Sequence, residues 1–530
     1  MAATETTSGD IGPPSFQSTA EVDKDLVTPD IHSVSIKIKR ADDVYKEFAG
    51  IQEQPSNGEI FLWYLYSFCS DFVHSVLVPI LFPLIISRIN PTPTSPPEQG
   101  CYPKEMEVYE GLVESSVKFN NHSFTPLEWT SISWATGIFL GTPILAYISR
   151  ALDNGHYQNL IFGAATALGS IFCLPAGSFR THWIFPPYIA AIVAASIVTT
   201  ASHTRHLGVM IRGFSKPVSV DESHNQFPER RSVASWLSLH STAVGSLGGG
   251  IMSAFIYNML HHKDKFLSLW VVSIFSGLKW IVGSAHAFSV NRRGLSTSNS
   301  NLGSHLFSIF KYPHALGSLA AIMLSSFTST CLFTGGTLYV IGQLCVRPAF
   351  MLFLWLTYFI FPLFSLPILH PLQQLAKTDA MRMQLLGFLV SATTSALGFY
   401  YRTADWYHPH ILLMVAVQST ATGILHAFGR VLLLDCTPAG KEGAFSVWFS
   451  WTRAVGACAG FAVASAYPGK VNKSFAFTFC TSLAGLVLLI FGNVSNYGGA
   501  VAAGHVIAKN TERSSPIGER RDSGVVEAKV

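Results

Sequence analysis

Ile60-Phe-Leu-Trp63-Tyr64-Leu-Tyr-Ser67-Phe-Cys-Ser-Asp71-Phe-Val-His74-Ser-Val-Leu-Val-Pro79-Ile-Leu-Phe-Pro83-Leu-Ile-Ile-Ser87 is the stretch on which the reading of this chain turns. It exceeds the ~20 apolar residues that cross a bilayer, yet it carries a polar stripe. Tyr64, Ser67, Asp71 and His74 follow i, i+3, i+7, i+10 spacing and share one helical face. Asp71 falls ~12 residues into the span, about 18 Å at 1.5 Å per residue, close to a bilayer midplane. A carboxylate facing lipid at that depth is costly, so Asp71 is expected to face a cavity or a cation. Pro79 and Pro83 should bend the far end of the helix.

Eleven similar stretches follow. The first six lie near 59–87, 128–148, 158–178, 182–202, 232–258 and 266–290, the second six near 312–343, 347–371, 382–401, 407–435, 443–466 and 472–495. Charged residues are 12% of the chain, about half the usual share in soluble domains. Hydrophobic residues are 49%, and mean hydropathy is +0.35. These values describe an all-α integral membrane protein of about twelve helices. A six-plus-six plan around a central linker is that of two bundles rocking about a midplane site.

The expected organisation is a polar N-terminal tail (1–57), a six-helix bundle (58–290), a linker (291–311), a second bundle (312–497) and a polar C-terminal tail (498–530). The tails and linker read as cytosolic, with the tails disordered. An even span count puts both tails on one side. Lys37, Lys39, Arg40 and Lys46 before span one, and Arg205, Arg212, Lys216, Arg230 and Arg231 in the fourth loop, favour the cytosol for that side. Asn121 begins a glycosylation triplet in the first loop, on the opposite side. Leu306 to Lys311 reads as a short helix lying on the membrane surface.

Further polar stripes single out other spans. Arg453 sits about ten residues into span eleven, with Ser446 and Ser450 on its face, and needs an anion. Span ten carries Gln418, Thr422, His426 and Arg430 at spacing four, winding slowly around the helix; Arg430 and Asp435 near its end form a candidate gate pair. Lys279 lies in a stripe on span six and reads as structural, on a peripheral helix. Span seven is rich in hydroxyls. Gly245, Gly248 and Gly249 in span five allow close helix approach.

The eight cysteines form no CxxC pair and imply no disulfide framework. There is no phosphate loop, HExxH or GxSxG motif, so neither ATP-driven pumping nor a standard hydrolase is supported. No cofactor, metal or nucleic-acid partner is expected, and the chain reads as a non-enzyme.

Three segments together carry a family resemblance. They are Trp63-Tyr64-Leu65-Tyr66-Ser67-Phe68, Ser238 through Gly245-x-x-Gly248-Gly249, and Pro438-Ala-Gly440-Lys-Glu442-Gly-Ala-Phe445-Ser-Val-Trp448-Phe-Ser-Trp-Thr-Arg453. They resemble the vacuole-effluxer branch of the major facilitator superfamily, the autophagy-related protein 22 type. The resemblance implies a major-facilitator fold and amino-acid export from the vacuole. Between spans two and three the family's Gly-x-x-x-Asp-Arg pattern appears as Gly141-Thr-Pro-Ile-Leu-Ala-Tyr147-Ile-Ser-Arg150-Ala-Leu-Asp153, with Tyr147 at the usually acidic place.

The combined expectation is a monomeric secondary transporter in the vacuolar membrane, with another endomembrane or the plasma membrane as alternatives. It moves a small polar solute, amino acids first, out of the vacuole in a proton-linked manner. Tyr64, Ser67, Asp71, His74, Gln418, Thr422, His426 and Arg453 are the expected site residues. The rival reading is a non-transporting receptor or scaffold that signals through its tails.

Overall fold

The computed structural model describes residues 53–89 and 109–494, with gaps of which the longest are 215–222 and 293–305. The C-terminal tail, residues 1–52 of the N-terminal tail, most of the linker and the Asn121 glycosylation triplet's asparagine lie outside the described residues.

Among the described residues, twelve long helices follow one another: α1 (Asn57–Ser87), α2 (Pro126–Asn154), α3 (Gln158–Cys173), α4 (Phe185–Phe214), α5 (Ser223–Leu260), α6 (Lys265–Val282), α7 (Ala315–Gly342), α8 (Pro348–Leu375), α9 (Ala380–Tyr400), α10 (His408–Asp435), α11 (Glu442–Ser465) and α12 (Val471–Phe491). Among the described residues, eleven are long and apolar enough to cross a membrane. The other, α11, runs 24 residues, about 36 Å, which is also a full crossing. Alternation of direction sends α1, α3, α5, α7, α9 and α11 one way and their partners back. The face where α1 begins is called the near face below, and its opposite the far face.

Local sequence starts these helices. Ser56 Oγ accepts from Glu59 N at 3.2 Å to cap α1. Thr125 and Glu128 form a reciprocal capping box on α2, with Pro126 in its first turn. Asp264 caps α6 through Leu267 N. Burial then sorts the helices. The apolar core windows of α1 and α4 are 83% and 72% buried, against 33% and 28% for α3 and α12. The latter turn Leu160, Ile171, Val487 and Phe491 outward, as lipid-facing helices do.

Two boundaries differ from expectation. Helix α4 runs to Phe214, not 202, so Arg205 and Arg212 belong to a helix rather than a loop. Arg231 likewise lies within α5. These charges end no helix because each is paired: Arg205 donates to Gln158 Oε1, Arg212 meets Glu442 at 2.6 Å, and Arg231 meets Asp379 at 2.6 Å. The first loop also contains a small antiparallel pair, β1 (Val117–Phe119) and β2 (His122–Phe124), with Lys118 opposite Ser123. Tyr109, Leu112 and Val117 of this loop are buried at the far face, and Tyr109 packs edge-on against Trp355 of α8 at 5.9 Å.

The two Pro residues of α1 have the expected effect in a specific form. Residues Val73–Leu81 adopt a π-helical turn pattern with Pro79 inside it, and α-helix resumes at Phe82. Proline cannot donate to the backbone ladder, and a widened turn accommodates that loss. The π stretch begins two residues after Asp71, at the level of the central cavity.

Candidate functional site

The two helical halves enclose a central cavity of about 100 Å³. From the first half, α1 supplies Asp71, His74 and Ser75, α4 supplies Thr200, and α5 supplies Thr242, Gly245 and Ser246. From the second half, α7 supplies Ser326, Ser329 and Thr330, α8 supplies Tyr358, α10 supplies Thr422 and His426, and α11 supplies Ser450 and Arg453. The lining thus combines hydroxyls and imidazoles around one carboxylate and one guanidinium with apolar walls at Pro79, Phe333, Phe359 and Pro362, midway along the helices.

Of the eight expected site residues, five reach this cavity: Asp71, His74, Thr422, His426 and Arg453. Arg453 forms no hydrogen bond or ion pair with the described residues, and its guanidinium is available to an incoming anion. His74 Nε2 shares a 2.7 Å hydrogen bond with Ser196 Oγ, while its Nδ1 is buried without a partner. Asp71 lies under the electrostatic influence of Arg453, Arg430 and Lys279. Asp71 and Arg453 line the cavity, while Arg430 and Lys279 act on Asp71 from outside the lining.

Gly245 explains how Asp71 fits. A Cβ on Gly245 would overlap Asp71 Oδ2, so the carboxylate occupies the space that a side chain would take. Gly248 and Gly249 work similarly: added carbons would collide with the Phe68 carbonyl and the Phe359 ring.

The other expected residues are elsewhere. Ser67 bonds Ser241 at 2.6 Å, and Tyr64 packs against Trp63 and Trp236. Gln418 is held by Thr394 at 2.6 Å and reaches Ser391 and Thr422. On α10 each step of the spacing-four stripe turns by about 40°, so Gln418 points about 80° away from His426. Arg430 does not pair with Asp435. It lies over the Trp63 ring, 5.9 Å from its centroid, and donates to Ser241, while Asp435 meets Arg231 at 3.4 Å. A spacing of five residues puts positions 430 and 435 about 140° apart on one helix, which forbids the expected pair.

Lys279 is not at the periphery. It is buried between α6 and α1, donates to Gly248 O at 2.8 Å, and sits 4.6 Å from the Phe68 and Phe72 ring centroids.

Two clusters escaped the sequence reading. At the near face, Asp153 Oδ1 accepts from Gly443 N and Ala444 N, capping α11 across the halves. The exposed Tyr147 stands at the usually acidic place, whereas Asp153 lies six positions on. Beside this cap lies the Arg212–Glu442 pair, each partner 6% exposed. Second, Glu59 binds Arg292 through two 2.6 Å contacts and lies 2.9 Å from His206. His203, His206 and His286 pack ring to ring behind it, with His203 stacked on Trp63 at 4.6 Å. The linker end is tied down as well: Trp448 Nε1 donates to Leu306 O, and its ring meets Phe307 and Phe310.

Among the described residues, no group of three or more His, Cys, Asp or Glu side chains is arranged to hold a metal.

No family model matches the sequence, and no curated protein does. The chain is similar in structure to the human organic anion transporter MFSD10 (TETRAN), with a TM-score of 0.52 and 12% identity, covering 82% of this chain and 100% of that one. The likeness is one of fold. It gives this multi-pass membrane protein a major-facilitator-type architecture of two six-helix bundles.

Proposed function

We propose that the chain is a secondary active transporter of a small carboxylate-bearing polar solute, amino acids in the first place. The observation that carries this reading is the central cavity, where Asp71 and His74 of one half face His426 and Arg453 of the other. A guanidinium without a protein partner is suited to a carboxylate through paired N–H donors. Hydroxyls on Ser326, Ser329 and Thr422 would take the remaining polar groups of the solute. Asp71 and His74 would exchange the coupled proton. Rocking of residues 58–290 against 312–497 would open the cavity to each face in turn. The solved transporter of similar fold is named for organic anions, and Arg453 at the cavity wall supports the same sign of cargo.

Basic residues at the near-face polar segments support a cytosolic near face, and the resemblance of the three sequence segments supports a vacuolar membrane and efflux. Metabolite profiling of isolated vacuoles with and without the protein tests that assignment. Amino acids should accumulate severalfold in its absence. Unchanged pools would remove the vacuolar efflux reading.

A further inference from the structure

A second cavity, of about 110 Å³, lies inside the C-terminal half among α7, α8, α9, α10 and α12. Its walls are apolar, with Leu332, Val340, Leu354, Ile411, Met414 and Phe475 prominent. Two residues, Phe333 and Tyr358, line both this cavity and the central one. Their rings are 4.6 Å apart and form an aromatic partition. The partition is weakly fixed on one side: the Tyr358 hydroxyl reaches Thr422 only at 3.5 Å, the long limit for a hydrogen bond. Gln418 and Thr422, joined at 3.4 Å, stand at the same boundary.

The pocket is partly open rather than sealed, and its apolar lining lacks the dispersion partners that an occupant would supply. Gly336 accentuates the void, because a Cβ there would meet nothing within 4 Å. The α7 wall is therefore open at this position, with room for a side chain larger than hydrogen. The central cavity holds the charged groups along with apolar walls at Pro79, Phe359 and Pro362, whereas the second pocket is almost wholly apolar.

We infer that this pocket receives the apolar group of the transported solute. The cargo is then an amphipathic acid: its carboxylate meets Arg453 in the central cavity, and an aromatic or branched aliphatic group passes Phe333 and Tyr358 into the pocket. The inference rests on the central cavity being the solute site and narrows the cargo to acids with a bulky apolar end. An acyl chain of the bilayer is the competing occupant, and it would not couple the pocket to Arg453.

The test is equilibrium binding of glycine, L-leucine and L-phenylalanine to the purified full chain, with Gly336→Ala, Gly336→Leu and Met414→Phe variants. Wild-type affinity should rise from glycine to the larger two, by roughly fourfold per buried methylene. Gly336→Leu should weaken leucine and phenylalanine at least tenfold and leave glycine within twofold. Met414→Phe fills the pocket from α10 and should do the same if the α7 variant does not fold. Gly336→Ala should stay within threefold for all three. Equal wild-type affinities, no binding, or filled-pocket variants that weaken all ligands equally or none overturn the inference. Arg453→Gln separates the two levels: loss of all three ligands supports the central site, and retention of all three sinks that site regardless of the Gly336 outcome.

Discussion

Asp71→Asn is expected to abolish proton-driven solute accumulation, at least tenfold below wild type, while solute exchange at equal pH persists. Asparagine keeps the size and hydrogen-bonding reach of aspartate, so the cavity and the fit against Gly245 survive. What it lacks is a proton that comes and goes. The substitution also leaves Arg453, Arg430 and Lys279 without their shared countercharge. A tenfold loss corresponds to about 1.4 kcal/mol, a modest demand on the only carboxylate lining this cavity among the described residues. The assay is uptake into vesicles of purified protein with and without an imposed pH gradient. Gradient-driven uptake equal to wild type would remove Asp71 from proton coupling.

Glu442→Gln should shift the protein toward a form open at the near face. Glu442 meets Arg212 at 2.6 Å with both side chains buried, and it also accepts from Gly440 N. Removing one charge from a buried pair costs about 3–5 kcal/mol, because the other is left uncompensated. Even 3 kcal/mol changes a two-state ratio by roughly 150-fold. The Asp153 cap on Gly443 and Ala444 remains and limits the shift, so Asp153→Ala combined with Glu442→Gln should exceed either alone. Spin labels at Asn154 and Lys441 report the separation across this contact. A longer-distance population should grow in Glu442→Gln and dominate in the double variant. An unchanged distribution would show that these contacts do not hold the near face shut.

How far the sequence discloses this protein depends on the distance over which its groups interact. The twelve helices are legible because hydropathy is local. Asp71, His74, Thr422, His426 and Arg453 are legible as members of stripes, because a polar group at midspan has few tolerable directions to face. Their meeting in one cavity needed the fold. The near-face contacts are not legible: Asp153 and Gly443 are 290 positions apart, and nothing in either segment names the other. The arginines of α4 misled the boundary because charge ordinarily ends a span, and only their burial against Gln158 and Glu442 lets the helix continue. The Arg430–Asp435 expectation failed on helical geometry that a projection of span ten already contains. The apolar pocket left no trace in the sequence, since its shape is set by five helices together.

The central claim is that this chain alone moves a carboxylate-bearing solute through the cavity between its halves. Uptake of labelled L-phenylalanine into vesicles containing only the purified protein tests it most directly. The account predicts saturable uptake above protein-free vesicles, driven by a proton gradient and reduced at least tenfold by Arg453→Gln. Uptake no greater than in protein-free vesicles, or uptake untouched by that substitution, would contradict it.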